Sequence, residues 1–404
     1  MQIYRDTPCV GNIFAMRIAY CSDSLPPVTD GVTRTLSALV ATLQEGGVEF
    51  QFVSAVRPDP ELNWRDRVHT VPSVPFPLYP YYRVGLPIAR TVDRVLDAFA
   101  PDVVHVVTPS LLGLYGVRYA RRRGIPVVAS FHTDFVTLFA YYGLRRLQRL
   151  GRHLERRFYG QCTVTLAPSR HQAAELRAQG IANVALWRRG VSSATFSPAF
   201  RSAALRAELG APDVPILLYV GRLGREKNLP FLADAMQLLE RRMGNGAFKL
   251  VVVGRGPLRR ALQARLPNAH FTGELTGVEL SRAYASADVF VFPCVLETFG
   301  NVVLEAFASG LPVVGVNQGA VPELITPNVN GLLAAPGSAA AFADKIHTLL
   351  ERAPDRARMG LGARITAAEQ GWPEANRPLM EIYTGLVEAG GRGGGWERLL
   401  AVAV

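Results

Sequence analysis

The stretch "DVFVFPCVLETFGNVVLEAFASGLPVVGV" (residues 288–316) contains one complete strand–helix–strand unit. Its apolar run 288–293 predicts a buried strand, and the loop 294–300 follows at the carboxyl end of that strand. Residues 301–309 predict a helix that a Gly-Leu-Pro sequence ends, and 311–316 predict the next strand. A strand that returns through a helix to another strand is typical of a parallel sheet.

The same alternation of short apolar runs and longer amphipathic segments occurs in two blocks. The predicted strands are 16–21, 49–55, 102–107, 126–131 and 163–167 in the first block, and 215–220, 248–253, 288–293 and 311–316 in the second. A chain of 404 residues is also too long for one ordinary core. We therefore predict an α/β protein with two doubly wound, Rossmann-like domains facing each other across a cleft.

Changes in composition suggest where these domains begin and end. The expected divisions are an N-terminal extension at 1–15, a first domain at 16–198, a second domain at 199–373 and a C-terminal segment at 374–404. The linker is expected within 192–215, which is rich in Ser, Pro and Ala. A helical segment at 374–389 is expected to cross back onto the first domain, and the "GGRGGG" sequence after it predicts a flexible tail.

Composition limits the classes of partner and compartment. The net charge of +11 rests almost wholly on arginine, because the 44 basic residues include only three lysines, and it favours an anionic partner. Four scattered cysteines without C-x-x-C spacing predict neither a zinc site nor a disulfide framework, which favours a reducing cytoplasm. No apolar stretch reaches the roughly 18 residues needed to span a bilayer, so we expect a soluble or peripheral protein.

The loop 294–300 lies where ligands bind in open α/β sheets. The helix that begins near Gly300 offers free N–H groups to an anion, with Thr298 or Asn301 as its cap. Glu297 lies on the loop and Glu305 one turn into the helix, so the two acids can contact different parts of one extended ligand. The alternative is that Glu305 is a solvated helix residue and Glu297 a plain loop acid, and spacing alone leaves both open.

Two more glycine-containing loops follow strands of the second block. In "YVGRLGREKNL" (219–229), Arg222 and Lys227 are close enough in sequence to meet one diphosphate, with Gly221 beside them. The alternative is a solvated basic turn. In "VVVGRGPLRR" (251–260), Gly254 opens a Gly-x-Gly turn that is a weak signal by itself, because it is not the six-position dinucleotide fingerprint.

The first domain has two candidate loops on the cleft. In "SDSLPPVTDGVTRTL" (22–36), Gly31 comes just before a helix, and Asp30 is either a ligand contact or the helix N-cap. In "SFHTDF" (130–135), His132 and Asp134 follow a strand at the same cleft edge. A lone histidine is more often structural, but His132 lies where ligands bind in such sheets, so a ligand contact is the alternative.

The segment "YYGLRRLQRLGRHLERRFYG" (141–160) predicts the clearest amphipathic helix. Leu144, Leu147, Leu150, Leu154 and Phe158 form its apolar stripe, and six arginines occupy the rest. Such a helix can lie on an anionic membrane surface. We expect the leucines to pack on the sheet and leave open whether the arginines are simply solvated.

These segments together resemble the retaining glycosyltransferases of family 4, which have the GT-B fold of two Rossmann-like domains. The resemblance runs in order through residues 16–390, and its most specific part is the E-x7-E segment "ETFGNVVLE". The "SDSLPPVTDGVTRT", "SFHTDF" and "RRGV" (188–191) segments are most similar to GDP-mannose-dependent α-mannosyltransferases and to sulfoquinovosyl and glucosyl lipid transferases.

The resemblance implies a role for each matching residue. Arg222 and Lys227 would bind the donor diphosphate, Glu297 the hydroxyls of the transferred sugar, and His132 that sugar near its 6-position. Glu305 would bind the ribose. The other implied donor-binding residues are Gly31, Gly221, Gly254, Phe299, Gly300, Asn301 and Val302. Such enzymes keep the anomeric configuration without a metal or cofactor, so none is expected here.

Two positions depart from the family pattern. Ser192 follows Val191 where an acid is usual, and Gly319-Ala320 replaces a Gly-Gly pair. The first departure removes an expected acid near the linker, and the second predicts a modest change in the loop beside the donor.

The leading hypothesis is a cytoplasmic transferase, peripheral on the inner face of the plasma membrane, that moves mannose from GDP-mannose to a membrane lipid or other hydroxyl acceptor. The alternatives are a UDP-sugar enzyme making glycosyldiacylglycerol, a sugar-nucleotide epimerase or phosphorylase, and a non-catalytic polyanion-binding protein. The last is disfavoured, and no nucleic acid is expected as a partner, because the arginines cluster on amphipathic helices rather than among exposed aromatics.

Overall fold

The computed structural model describes residues 16–28, 30–76, 79–137 and 145–390, without the side chains of 79–81 and 145. The predicted N-terminal extension and flexible tail lie outside these residues, as do Thr29 and residues 141–144 of the predicted basic helix. Two parallel sheets, each covered by helices, make up the described chain.

The first sheet has seven parallel strands in the order β3-β2-β1-β6-β7-β8-β9. Its strands are β1 (Arg17–Ser22), β2 (Glu49–Ser54), β3 (Val68–Thr70), β6 (Val103–Val106), β7 (Val127–Ser130), β8 (Val164–Ala167) and β9 (Val184–Leu186). Between β3 and β6 in sequence, β4 (Ser73–Phe76) and β5 (Tyr79–Gly85) form a separate antiparallel pair. The accompanying helices are α1 (Gly31–Glu45), α2 (Ala89–Phe99), α3 (Leu111–Arg123), α4 (Gln148–Tyr159) and α5 (Arg170–Ala178).

The second sheet has six parallel strands in the order β12-β11-β10-β13-β14-β15. Its strands are β10 (Ile216–Val220), β11 (Lys249–Val253), β12 (His270–Gly273), β13 (Val289–Phe292), β14 (Val313–Val316) and β15 (Gly331–Ala334). The helices in this part are α6 (Ala203–Glu208), α7 (Leu229–Met243), α8 (Arg259–Arg265), α9 (Gly277–Ser286), α10 (Asn301–Ala308), α11 (Ala339–Glu351) and α12 (Ala353–Ala368). The strand order reverses between β10 and β13, so a crevice forms beyond their carboxyl ends.

The two-sheet prediction is confirmed, and all nine predicted strands are present with ends shifted by one or two residues. Six further strands were not predicted: β3, β4, β5, β9, β12 and β15. All of them except β5 have three or four residues, and β12 lies at a sheet edge with a partly exposed sequence, His270–Gly273. An apolar run of three or four residues, as in β9 and β15, is too short to mark a strand in the sequence.

The last described helix, α13 (Trp372–Glu388), packs in the first sheet's core although it follows the second sheet in sequence. Leu379, Ile382 and Tyr383 are buried there, in the same apolar cluster as Ile18 and Tyr20 of β1. Burial of three large side chains stabilises this return by several kcal/mol at about 1.5–3 kcal/mol each.

The expectation that the leucines of the basic helix pack on the sheet is wrong. Leu147, Leu150 and Leu154 are 45%, 56% and 55% exposed, and only Phe158 of the described stripe is buried. The helix begins at Gln148, and its inner face is formed by Glu155, Phe158 and Tyr159. The leucine spacing predicts an apolar stripe, but the helix packs on the sheet with the face that carries Glu155, Phe158 and Tyr159. No helix in the described part of the chain is long and apolar enough to cross a membrane.

Candidate functional site

The loops after β10 and β13 lie side by side, because these two strands are neighbours in the second sheet. The first loop carries Lys227 and the second Glu297. The Lys227 ammonium donates to Glu297 Oε2 at 2.8 Å. The structure therefore brings together two predicted site residues that are 70 positions apart in sequence.

The environment of Lys227 keeps its side chain charged. Burial lowers the pKa of the ammonium, but the attraction of Glu297, with smaller contributions from Cys294 and Tyr219, outweighs burial, and the pKa is raised above its usual value. A permanently charged ammonium at a sheet switch point is suited to an anionic ligand. The solvated-turn alternative does not describe this lysine.

Arg222 is held by an acid of its own loop. Its guanidinium donates to the carboxylate of Glu226, which is buried. Tyr219 Oη donates to the carbonyl of Arg222 at 3.1 Å. These contacts fix both ends of the residue, so Arg222 is oriented before any ligand arrives.

Gly254 owes its place to a close approach of two strand ends. It has φ +139°, and a Cβ there would lie 1.9 Å from the carbonyl oxygen of Gly221. Only glycine fits, because any side chain would push the loop after β11 away from the loop after β10. The weak Gly-x-Gly signal thus marks the packing of these two loops.

Helix α10 begins at the carboxyl-terminal loop of β13 without a side-chain cap. Its N-cap is Gly300, with φ +107°, a conformation that favours glycine. The predicted cap by Thr298 or Asn301 is wrong: Thr298 Oγ1 instead donates at 2.9 Å to the carbonyl of His132, from the first sheet. The N-terminal amides of α10 are therefore not capped by a side chain of the described residues, which leaves them suited to an anion.

The rest of the E-x7-E segment faces inward. Phe299 is buried, whereas Asn301 and Val302 are half-buried on the first turn of α10. Gly31, at the start of α1, approaches that turn so closely that a Cβ would lie 3.3 Å from Asn301 Nδ2. Asp30 accepts from the Thr33 amide at 2.7 Å, so it is the N-cap of α1.

Glu305 is not a solvated helix residue, since only 4% of it is exposed. It accepts from Arg34 of α1 and, at 2.8 Å, from the hydroxyl of Tyr284. Burial raises the pKa of Glu305, and Arg34 opposes that rise. The acid predicted to bind a ribose is therefore also the anchor of an ion pair between the two sheets.

His132 is half-buried after β7, and its ring contacts Arg189. Arg189 Nη2 lies 3.0 Å from His132 Nδ1, and His132 Nε2 has no hydrogen-bond partner among the described residues. Burial, Arg189 and His105 together lower the pKa of His132 well below its ordinary value, so the ring is neutral. The neighbouring Asp134 caps a helical turn by accepting from the Thr137 amide at 2.7 Å.

A third contact joins the two parts of the chain away from the E-x7-E segment. Glu323 accepts from the amides of Arg170 and His171, at 2.9 and 2.6 Å, at the start of α5. A carboxylate at a helix N-terminus is stabilised by the helix dipole. Together with the contacts of Arg34 and Thr298, it holds the loops of the two sheets against each other.

Sequence reasoning missed several residues of this site: Arg34, Arg189, Glu226, Tyr284 and Glu323. Arg34 carried one usable signal, since it lies one turn after Gly31 on the helix face that begins at the cleft. Arg189 is adjacent to Arg188, and the sequence does not distinguish the two. The structure does, because Arg188 is exposed and Arg189 is buried. The described residues contain no group of three or more His, Cys, Asp or Glu side chains placed to hold a metal.

The chain is similar to known proteins over most of its length. Family profiles described as "Glycosyltransferase Family 4" and "Glycosyl transferases group 1" match residues 29–195 and 214–352. A GDP-mannose-dependent alpha-mannosyltransferase of Mycobacterium tuberculosis is 37% identical over 91% of this chain and 96% of that protein. The sulfoquinovosyl transferase SQD2 of Arabidopsis thaliana is 32% identical over 86% of this chain and 69% of that protein.

Among solved structures, a sucrose-phosphate synthase from Thermosynechococcus elongatus superposes with a TM-score of 0.74. The match covers 93% of this chain and 100% of that chain at 21% sequence identity, a level at which it supports the fold alone.

Proposed function

Because the chain belongs to glycosyltransferase family 4 and is a hexosyltransferase with the GT-B fold, we propose that it transfers mannose from GDP-mannose to a hydroxyl group of a membrane lipid. The observation that carries the proposal is the Lys227–Glu297 pair at the switch point of the second sheet. It lies in the loops that also contain Arg222 and the uncapped start of α10. The 37% identity to a GDP-mannose-dependent mannosyltransferase supports the choice of donor.

In this proposal the cations and the acids have separate tasks. Lys227, Arg222 and the first amides of α10 stabilise the diphosphate as negative charge develops on it. Glu297 accepts hydrogen bonds from hydroxyls of the sugar, and Lys227 holds that carboxylate in place. Glu305 accepts from the ribose hydroxyls while it remains bonded to Arg34 and Tyr284.

The reaction requires no other reactant than donor and acceptor. The bond between the anomeric carbon and the diphosphate oxygen breaks, and the acceptor oxygen forms the new bond on the same face of the sugar. The acceptor proton passes to the departing diphosphate oxygen. Retention of configuration follows from this same-face attack.

The donor is tested with purified protein, a lipid extract, and GDP-mannose, UDP-glucose or UDP-sulfoquinovose in separate reactions. We expect nucleotide release and a mannosylated lipid only with GDP-mannose, and NMR of the product should show the α configuration. Turnover of a UDP-sugar with indifference to GDP-mannose would contradict the proposed donor. A UDP-sugar enzyme is the second candidate, because the chain is 32% identical to a sulfoquinovosyl transferase.

The exposed face of α4 supports a membrane location for the acceptor. Leu150 and Leu154 on this face continue the helical spacing of Leu147, which comes just before α4, and the exposed Arg149 and Arg152 flank them. An apolar strip between arginines suits the interface of an anionic bilayer, where the leucines enter the acyl boundary and the arginines meet headgroups. We place this face on the inner leaflet of the plasma membrane.

Sedimentation with liposomes of anionic and of zwitterionic lipid tests that surface. We expect binding to anionic liposomes that is weakened by Leu150→Gln with Leu154→Gln, and also by Gln at Arg145, Arg146 and Arg149. The matched control is Leu361→Gln, because Leu361 is 63% exposed on α12, far along the chain. Unchanged binding of both sets of variants would contradict the membrane role of α4.

The cationic site also predicts that no divalent metal is needed. Lys227, Arg222 and the start of α10 supply the positive charge that a metal provides elsewhere. Turnover in the presence of excess EDTA should therefore equal turnover without it. Restoration of a lost activity by added Mg²⁺ or Mn²⁺ would show that this expectation is wrong.

A further inference from the structure

The contact between Arg189 and His132 determines where the imidazole carries its proton. Arg189 Nη2 lies 3.0 Å from His132 Nδ1. A guanidinium has only donors, so Nδ1 must be the acceptor and therefore unprotonated. In a neutral ring the proton then lies on Nε2, and this nitrogen is a hydrogen-bond donor.

The Nε2 atom of His132 is buried and has no partner among the described residues. An unpaired buried donor costs about 1–3 kcal/mol, so such an atom is unusual in a folded protein. The backbone of the same residue is tied to the second sheet through Thr298, next to Glu297. This tie fixes the histidine beside the loop that carries the sugar-binding acid.

The burial of Arg189 in this position is energetically unfavourable. Only 4% of it is exposed, and no carboxylate of the described residues forms an ion pair with it. Its guanidinium donates to the Trp187 carbonyl at 2.9 Å and lies 4.5 Å from the centre of the Trp187 ring. Burial lowers the pKa of Arg189 to about 9, which still leaves it charged at neutral pH. Burying an unpaired cation is unfavourable, so its contact with His132 is the feature that calls for an explanation.

We propose that Arg189 is a positioning residue that holds His132 as the neutral Nε2–H tautomer, ready to donate a hydrogen bond to an oxygen of the transferred sugar. The identity of that ligand rests on the proposed function, whereas the tautomer does not. A protonated ring would place a second N–H against the guanidinium, so Arg189 excludes the imidazolium as well as the other tautomer.

The titratable neighbours of His132 agree with a neutral ring. They are Arg189 and His105, and the charge of Arg189 opposes a positive charge on His132 after burial has already disfavoured it. His105 is itself neutral, because burial lowers its pKa to about 3. Its Nδ1 contacts the Tyr383 hydroxyl, and its Nε2 lies 2.6 Å from Ser130 Oγ.

Nitrogen-15 NMR of protein labelled in its histidine rings tests the tautomer directly, with His132→Gln used to assign the signal. In the unmodified protein we expect Nε2–H with an unprotonated Nδ1, unchanged from pH 6 to pH 8.5. A proton on Nδ1, or titration within that range, would overturn the proposal even if no variant could be made.

The variants Arg189→Met and Arg189→Lys separate positioning from simple filling of space. Methionine removes the donor that Nδ1 accepts from, so His132 should populate the Nδ1–H form. Lysine is also a donor without acceptors and should restore the Nε2–H form. The matched control is Arg188→Met, at the exposed neighbour, which should leave the spectrum unchanged. A spectrum of Arg189→Met identical to that of the unmodified protein would refute the role of Arg189.

Activity and ligand titration extend the same test. For Arg189→Met we expect kcat/KM for the donor to fall about 10–100-fold, and Arg189→Lys should recover most of that loss. GDP-mannose, but not GDP, should shift the His132 Nε2 signal. If GDP-mannose does not bind at all, the proposed function fails while the tautomer stands. If GDP-mannose binds and turns over without moving the signal, the sugar contact is wrong.

Discussion

The two sides of the cleft use charge in opposite ways. On the second sheet's side, the cations Lys227 and Arg222 each contact a carboxylate, Glu297 and Glu226 respectively. On the first sheet's side, His132 and His105 are neutral, and the buried Arg189 has no acid among the described residues. In the proposed function, the side with the paired cations stabilises a diphosphate, whereas the side with the neutral histidines orients an uncharged sugar. Removal of Lys227 should therefore affect turnover, whereas changes at Glu155 and Tyr383, to which no ligand contact is assigned, should affect stability.

The largest expected effect is on the charged side. Lys227→Ala removes a fixed cation from the developing diphosphate charge, so turnover should fall about 10²–10³-fold. The control is Arg225→Ala, which removes an exposed cation from the same loop and should retain activity. Near-normal turnover of Lys227→Ala, measured as nucleotide release, would remove the charged side from catalysis.

The next effect is a dependence of stability on pH on the first sheet's side. Burial, and then the Asp134 carboxylate, raise the pKa of Glu155 to about 8. The folded protein therefore holds a proton that the unfolded chain releases above about pH 4.3, and this contribution to stability is lost as pH rises from there to 8. Glu155→Gln should remove that loss and stabilise the protein at pH 8.5 by roughly 5 kcal/mol relative to the unmodified chain.

Urea unfolding at pH 5, 6.5 and 8.5 measures this dependence. The control is Glu208→Gln, at an exposed acid, which should follow the unmodified protein at each pH. An equal slope of unfolding free energy with pH in Glu155→Gln and in the unmodified chain would show that Glu155 titrates normally.

A smaller effect is expected from the buried hydroxyl of Tyr383. It lies 3.1 Å from the Tyr20 hydroxyl and also contacts His105 Nδ1. Tyr383→Phe leaves both groups unpaired, so the free energy of unfolding should fall by about 1–3 kcal/mol, with turnover changed less than about threefold. Tyr115→Phe, which removes a half-buried hydroxyl, should cost less. A large loss of turnover in Tyr383→Phe without a loss of stability would contradict the expectation that this hydroxyl serves stability alone.

The smallest effect concerns the ion pair that joins the sides. Arg34→Gln removes the cation that opposes the raised pKa of Glu305. The acid limb of the kcat/KM profile for the donor should move to higher pH, with a loss of about tenfold at pH 7. The control is the exposed Arg57→Gln. An unchanged profile would mean that the pair is only a structural contact.

Local spacing explains what the sequence could predict. The E-x7-E segment and the Arg222–Lys227 loop each lie within one strand–loop–helix unit, and parallel-sheet topology brings such loops together. The pairing of Lys227 with Glu297 follows from the neighbouring positions of β10 and β13. The roles given to these residues remain predictions that the experiments above test.

The remaining features depend on contacts between distant parts of the chain. Arg34 meets Glu305 across 271 positions, and His105 meets Tyr383 across 278. The periodicity of one segment carries no information about such partners. The prediction that the leucines of the basic helix pack on the sheet was wrong for a related reason. Leucine spacing defines an apolar stripe, but it does not indicate whether a sheet, a membrane or solvent contacts that stripe.

The return of α13 to the first sheet has a consequence for synthesis of the protein. Leu379, Ile382 and Tyr383 complete a core whose first strand begins at Arg17. While the ribosome is still making the second sheet, one face of the first sheet lacks its cover. The first sheet therefore reaches its final packing only after α13 leaves the ribosomal tunnel, although its own strands emerge first. During translation the second sheet can be complete while the first still exposes apolar surface that chaperones recognise.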